Sequence, residues 1–293
     1  MTPQGTIIAI GGNEQKEFKR VDEKYHSDFG EGSILQNIIS HAGGNSARIE
    51  VITSASDIPE AVGDTYTKTF KELGAQNIGI LDIRDRKTAD KASVLKRIEQ
   101  ADCVMFSGGD QSQISRLIKD TKVHTLINER YMNEKFILAG TSAGAVVMSD
   151  EMIAGGKNKN TLRKNDLKMG KGLGLLPEVI FDSHFIRRWR FGRLAEAVAA
   201  HPAKLGIGLG EDTGLIITDG NCCEIIGTGM VILFDGSNFS HNRYQNLKDN
   251  VCISLANLTA HILAPQDKYY IREKRVEAHY NPDNQIKELS KFE

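Results

Sequence analysis

The chain has 293 residues, 40% hydrophobic and 26% charged, with 37 Lys plus Arg against 38 Asp plus Glu and a formal net charge of −1. That balance gives no general attraction for nucleic acid or an anionic membrane, whose binders usually carry a marked Lys/Arg excess. It is long enough for a large core and holds six scattered prolines with no Ser/Gly/Pro-rich linker, so residues 1–293 read as a single domain.

Along the first half, short β-branched runs alternate with amphipathic segments. Strands are predicted at Thr6–Ile10, Arg48–Thr53, Asn77–Ile83, Cys103–Ser107 and Lys135–Ala139, each nearly continuous in hydrophobicity, as strands buried on both faces are. Between them, Ile34, Leu35, Ile38 and Ile39 share one helical face. A second helix is predicted with an Asp57 cap, an early Pro59, and Val62, Tyr66, Phe70 and Leu73 on its apolar stripe. Leu95 with Ile98, and Ile114 with Leu117, repeat the pattern. Such alternation predicts an α/β fold, a three-layer α/β/α sandwich with a mostly parallel central sheet. In such folds chemistry collects in the loops at the carboxyl ends of the strands.

Three of those loops are glycine-marked: Gly11-Gly12-Asn13-Glu14, Ser107-Gly108-Gly109-Asp110-Gln111 and Gly140-Thr141-Ser142-Ala143-Gly144. The third has the form of a nucleophile elbow, in which small flanking residues permit a sharp turn that lifts the serine oxygen above the sheet. The amide of Ala143 then points toward the same space and could stabilise an oxyanion.

A serine hydroxyl needs a base. Of eight histidines, His184 stands out because four arginines follow within nine residues: Arg187, Arg188, Arg190 and Arg193. A helix over 185–200 would bring several guanidinium groups to one pocket, where they could recognise carboxylates in bidentate fashion. From 204 onward short strands (Leu205–Leu209, Leu215–Thr218, Cys222–Ile226, Met230–Phe234) separated by turn residues predict hairpins extending the sheet, with a charged tail from Arg272 to Glu293. Glu211 and Asp212 end the first of these strands, and Glu211 is favoured over Asp212 as the acid that orients the imidazole.

Gly-Gly-Asp-Gln, Gly-Thr-Ser-Ala-Gly, Asp-x-His-Phe-x-x-Arg-x-Arg-x-x-Arg-Leu and Gly-x-Glu-Asp-Thr, in that order from about Gly11 to Asp235, resemble the cyanophycinases, in the serine peptidase family that also contains dipeptidase E. The resemblance implies a fold like that of class I glutamine amidotransferases and a homodimer. It also implies a triad of Ser142, His184 and Glu211, and an oxyanion hole from the amides of Gly109 and Ala143. Substrate contacts would come from Gln111, Asp182, Ser183, Arg188, Arg190 and Arg193. The implied substrate is cyanophycin, a poly-aspartate backbone bearing arginine on its side-chain carboxyls, cleaved from an end to β-Asp-Arg dipeptides without metal or cofactor. Ser183 departs from the pattern, because these enzymes typically carry Gln between Asp and His. A shorter arm there puts substrate preference in question and keeps an aspartyl or β-aspartyl dipeptidase as an alternative.

Other readings fit less well. An α/β-hydrolase-type esterase shares G-x-S-x-G but expects the acid before the histidine, which leaves a pair such as Asp235 with His261. A nucleotide-binding module lacks an intact G-x-G-x-x-G or G-x-x-x-x-G-K-[ST] after a strand. A catalytically silent binding relative would have no need to keep all three triad candidates. Cys103, Cys222, Cys223 and Cys252 form no C-x-x-C pair, and Cys222 and Cys223 read as one residue in and one out of a strand. With no basic leader or membrane-length apolar run, the expected partners are a peptide rather than nucleic acid or membrane, and the expected compartment is the cytoplasm. Residues 157–193 carry ten Lys/Arg against three Asp/Glu, so near-neutrality averages a basic segment around His184 with an acidic remainder.

Overall fold

The computed structural model describes residues 2–12, 34–156 and 162–279. The N-terminal strands β1 (Thr6–Ile10), β2 (Arg48–Ile52), β3 (Asn77–Leu81), β4 (Cys103–Phe106) and β5 (Ile137–Thr141) lie parallel in the spatial order β1, β5, β4, β2, β3. Alternate residues of β1 serve opposite faces. Ile7 and Ala9 pack with α4 (Ala92–Glu99), α5 (Gln111–Ile118) and α6 (Lys122–Asn133), whereas Ile8 and Ile10 pack with α1 (Ile34–His41) and α2 (Pro59–Glu72). The short α3 (Arg86–Ala89) precedes α4. The α/β/α layering and the buried parallel strands thus agree with the sequence pattern.

Differences are local. Helix α2 has Ile58, not Asp57, at its N-cap; the Ser56 hydroxyl accepts from the Ile58 amide at 3.1 Å and Pro59 supplies the preset first turn. The arginine-rich stretch after His184 is not one helix over 185–200. It forms turns up to Arg190, followed by α8 (Phe191–Ala200).

Beyond β5 come the short α7 (Ala143–Val146), the hairpin β6 (Glu151–Gly156) and β7 (Leu167–Lys171), and β8 (Val179–Asp182). The later strands divide between two sheets instead of all extending one. Strands β10 (Thr213–Thr218) and β11 (Cys222–Gly227) add antiparallel to β1, followed by β16 (Lys268–Tyr270) and β17 (Arg275–Glu277), to complete a nine-stranded sheet. Strands β9 (Leu205–Leu209), β12 (Val231–Asp235) and β15 (Thr259–Leu263) join β8 in a separate four-stranded sheet. A minor pair, β13 (His241–Asn242) and β14 (Leu255–Ala256), lies apart. The charged tail contributes β17, and its end, 280–293, lies outside the described residues, as do Asn13, Glu14, Lys157 and Lys159.

The glycines of β9 explain the division. Ile207 and Leu209 face the same buried cluster as Ile7 of β1, while the opposite face is pressed against α8 and Phe185. A Cβ on Gly206 would sit 2.6 Å from a Val198 methyl carbon, and one on Gly208 would sit 2.5 Å from the fully buried Phe185 ring. Only glycine allows so close an approach, and it seats Phe185, and with it His184, against the second sheet. Gly208→Ala should therefore destabilise the protein by about 1–3 kcal/mol, the usual range for overpacking. Gly155→Ala, where an added Cβ meets nothing within 4 Å, should change stability by less than about 0.5 kcal/mol. Urea unfolding of both variants checks this, and equal stabilities would contradict it.

Candidate active site

Ser142 lies between β5 and α7 with φ 51° and ψ −109°, a left-handed conformation that costs a non-glycine residue about 1–3 kcal/mol. The sharp turn depends on both flanking glycines. A Cβ at Gly140 would come within 2.4 Å of the Gly144 carbonyl oxygen, and one at Gly144 within 2.1 Å of the Phe106 carbonyl oxygen. Gly108, in the loop after β4, borders the serine: a Cβ there would lie 3.6 Å from Ser142 Cβ. Its neighbour Gly109 has φ +143°, and any side chain would strike the Ala55 carbonyl oxygen at 2.0 Å.

The three segments of the site are tied to the end of β1 by successive backbone carbonyls. Ser142 N donates to Ile10 O at 2.8 Å, His184 N to Gly11 O at 2.9 Å, and Asp212 N to Gly12 O at 3.0 Å. The two glycines make the approach possible. A Cβ on Gly11 would overlap the Gly210 carbonyl oxygen at 1.9 Å, and one on Gly12, at φ +106°, would strike the His184 ring at 2.5 Å. His184 and Asp212 are themselves held at φ 49°.

This framework aligns three side chains from distant parts of the sequence. Ser142 Oγ lies 3.0 Å from His184 Nε2, and His184 Nδ1 lies 2.7 Å from Glu211 Oε1. With Nδ1 protonated toward the carboxylate, Nε2 is left to accept the serine proton, the arrangement by which an imidazole activates a hydroxyl. Arg187 Nη1 donates to both Glu211 oxygens, at 3.0 and 3.3 Å. Partial burial by itself would raise the Glu211 carboxyl, but hydrogen bonds from His184 and Arg187 and their charge outweigh it and hold the group below the ordinary carboxylate value. Asp212, the other acidic candidate, instead accepts from Thr228 Oγ1 at 2.8 Å.

Ser183 places its hydroxyl 3.3 Å from Ser142 Oγ. Asp182 is wholly buried; its Oδ1 accepts from Arg190 Nη1 at 3.0 Å and Arg193 Nη2 at 3.1 Å, and Arg190 also donates to the Ser183 carbonyl at 2.7 Å. Complete burial pushes the Asp182 carboxyl above its ordinary value against the pull of Arg193 and Arg190. These two guanidinium groups thus brace the 182–184 loop from below. The absence of helix before Phe191 turns Arg187 the other way, onto Glu211, so the arginines do not converge on one pocket. Arg188 is exposed, and Gln111 donates to the Ile153 carbonyl at 2.6 Å. The spacing hides the Arg187 contact, because a helix over 185–200 would group that arginine with its neighbours, whereas the chain is in turns up to Arg190.

Asp235 and His261 form no acid–base pair. Asp235 accepts from Ser237 and Lys274, and His261 packs near the Tyr269 ring. Cys223 is buried and Cys222 half-buried, as the alternation predicts. Among the described residues no group of three or more His, Cys, Asp or Glu side chains could hold a metal ion, and no helix is long and apolar enough to cross a membrane.

Known proteins resemble this chain in sequence or in fold. The cyanophycinase of Trichormus variabilis is 37% identical over 278 residues, covering 94% of this chain and 89% of its own length. That of Geminocystis herdmanii is 36% identical over 266 residues, covering 91% and 93%. The crystal structure of a peptidase from an acI-B1 Actinobacterium superposes with a TM-score of 0.59 over 90% of this chain and 98% of that one; at 18% identity it speaks for the fold alone. The profile of Peptidase family S51 matches residues 24–225, and with relatives this similar over nearly the whole length, the chain belongs to peptidase family S51.

Proposed function

We propose that this peptidase hydrolyses cyanophycin from a chain end, releasing β-Asp-Arg dipeptides through a Ser142-His184-Glu211 triad and an acyl-enzyme. The observation that carries the reading is the 37% identity to a protein named cyanophycinase across 94% of a chain whose serine, imidazole and carboxylate stand in one hydrogen-bond relay.

In this mechanism His184 Nε2 takes the Ser142 proton as Oγ attacks the aspartyl peptide carbonyl, while Glu211 stabilises the imidazolium that forms. The amides of Ala143 and Gly109 receive the tetrahedral oxyanion; the closeness of Gly108 to Ser142 and the N-terminal position of Ala143 on α7 support that assignment. His184 then gives its proton to the leaving amine, and a water activated by the same imidazole releases the acyl group. Arg188 is exposed and, unlike Arg187, is not drawn onto Glu211, which suits it to a substrate carboxylate. Gln111, Asp182, Ser183, Arg190 and Arg193 complete the proposed binding region, the buried Asp182–arginine cluster acting by fixing the loop that carries Ser183 and His184. Ser183 is short where the relatives' pattern has Gln, which favours tolerance of smaller β-aspartyl peptides. A single catalytic domain over 1–293 and a homodimer working in the cytoplasm belong to the same reading. The first is supported by the buried cluster shared between both sheets and the last by free cysteines.

The direct test is incubation of wild type and Ser142→Ala with insoluble cyanophycin and a panel of aspartyl dipeptides. Ser142-dependent release of β-Asp-Arg is expected; cleavage confined to dipeptides would move the assignment to a dipeptidase. Gly12→Ala should lower kcat roughly 100-fold, because displacing an imidazole by about 1 Å is enough for such a loss. A thermal melt checks that the variant stays folded, and unchanged kcat would refute the clamp on His184.

Glu211 also makes a pH signature. Its folded-state value lies below the unfolded one of about 4.3, so its stabilisation is fully present above that pH and is lost as pH falls through the depressed folded value. The stability difference between wild type and Glu211→Gln should shrink as pH falls from about 5 to about 3, through the unfolded value of about 4.3 and the depressed folded one. Urea titrations across that range decide it, and a difference that grows in acid would be the wrong sign.

A further inference from the structure

We propose that Trp189 is a guanidinium platform, its exposed indole face stacking on an arginine side chain of the substrate presented to Ser142. The inference rests on the cyanophycin reading above and concerns a residue that the triad does not use.

Trp189 is the chain's single tryptophan and, at 82% exposure, the most exposed large hydrophobic side chain among the described residues. It also stands at φ 49°, a region in which a bulky side chain is a genuine outlier. The surrounding structure holds it there. Arg188 N donates to His184 O, Trp189 N to Ile186 O and Arg190 N to Phe185 O, each at 3.1 Å, so the turn grows directly out of His184. Below the turn the Arg190 side chain is anchored on Asp182 and the Ser183 carbonyl. The Phe191 ring lies 6.3 Å from the indole and 4.8 Å from the buried ring of Phe185. A strained backbone and a buried anchor thus keep one large apolar surface in water, one turn beyond the general base.

Charge indicates what it would hold. A substrate bearing one arginine per aspartate brings cations to a region where, among the described residues, the carboxylates beside the serine are already committed. Asp182 lies buried under Arg190 and Arg193, and Glu211 is engaged by His184 and Arg187. The exposed neighbours Arg187 and Arg188 are themselves cations. An aromatic face attracts a guanidinium through its quadrupole without a carboxylate, and planar guanidinium stacks well on indole. An arginine beside a tryptophan on the enzyme then complements a carboxylate beside an arginine on the polymer.

Because no other tryptophan contributes, emission excited at the red edge of the indole band, where the seven tyrosines do not absorb, reports this residue alone. Ser142→Ala protein would be titrated with the soluble two-unit fragment (β-Asp-Arg)2 and with its citrulline counterpart, which is nearly isosteric but uncharged. A saturable emission change is expected with the arginine peptide, with binding of the citrulline peptide weaker by roughly two- to fivefold. In the active enzyme, Trp189→Ala should raise KM for (β-Asp-Arg)2 by the same roughly two- to fivefold factor with kcat little changed, and Trp189→Phe should recover most of it. Equal responses to both peptides, an unchanged KM in Trp189→Ala, or a loss confined to kcat would overturn the platform. Blue-shifted emission without peptide that reddens on dilution would also overturn it, by showing the indole packed against a second copy of the chain. Cleavage by wild type with no emission change would refute the platform alone, whereas neither binding nor cleavage of (β-Asp-Arg)2 would refute the cyanophycin reading together with it.

Discussion

Three consecutive carbonyls at the end of β1 hold the site together. Ile10, Gly11 and Gly12 accept, in turn, the amides of Ser142, His184 and Asp212, so the serine, the imidazole and the residue beside Glu211 are registered against one short piece of backbone. Backbone hydrogen bonds are directional and costly to leave unmade when buried, which makes them better rulers than flexible side chains. The arrangement also explains why two glycines stand there: the carbonyl of Gly210 and the ring of His184 occupy the space that side chains would need.

The sequence was most legible where one local rule governed. Buried parallel strands announce themselves as continuous apolar runs, and β1 is found with the boundaries Thr6–Ile10 that its composition suggests. Ser142 could be read from its flanking glycines because the elbow geometry is a local demand. Sequence reasoning failed where a long-range contact overrode local pattern. The arginine spacing after His184 looks helical, yet the chain turns there because Arg190 is drawn down onto Asp182 and Ser183 while Phe185 is pressed onto Gly208. Likewise, β9 and β10 are separated by only Gly210 to Asp212 but enter different sheets. Nothing in the spacing of turn residues encodes that choice; it depends on which face of β9 receives α8.

Electrostatics show the same layering. The basic segment does not present a uniform positive surface, because Arg190 and Arg193 are spent on a buried carboxylate and Arg187 on Glu211. Breaking one member of such a buried cluster leaves its partner charge uncompensated, which is far more damaging than removing an exposed pair. Arg190, though outside the relay, is thereby bound up with the position of His184.

The two sheets meet at the relay itself. Ser142 follows a strand of the nine-stranded sheet, whereas His184 and Glu211 follow strands of the four-stranded one. The 3.0 Å bond between serine and imidazole therefore crosses a seam between two separately hydrogen-bonded bodies and acts as a gauge of their spacing. A slight parting of the sheets would break the serine–imidazole bond while every strand ladder stayed intact, so heat or denaturant should separate these two side chains before secondary structure is lost.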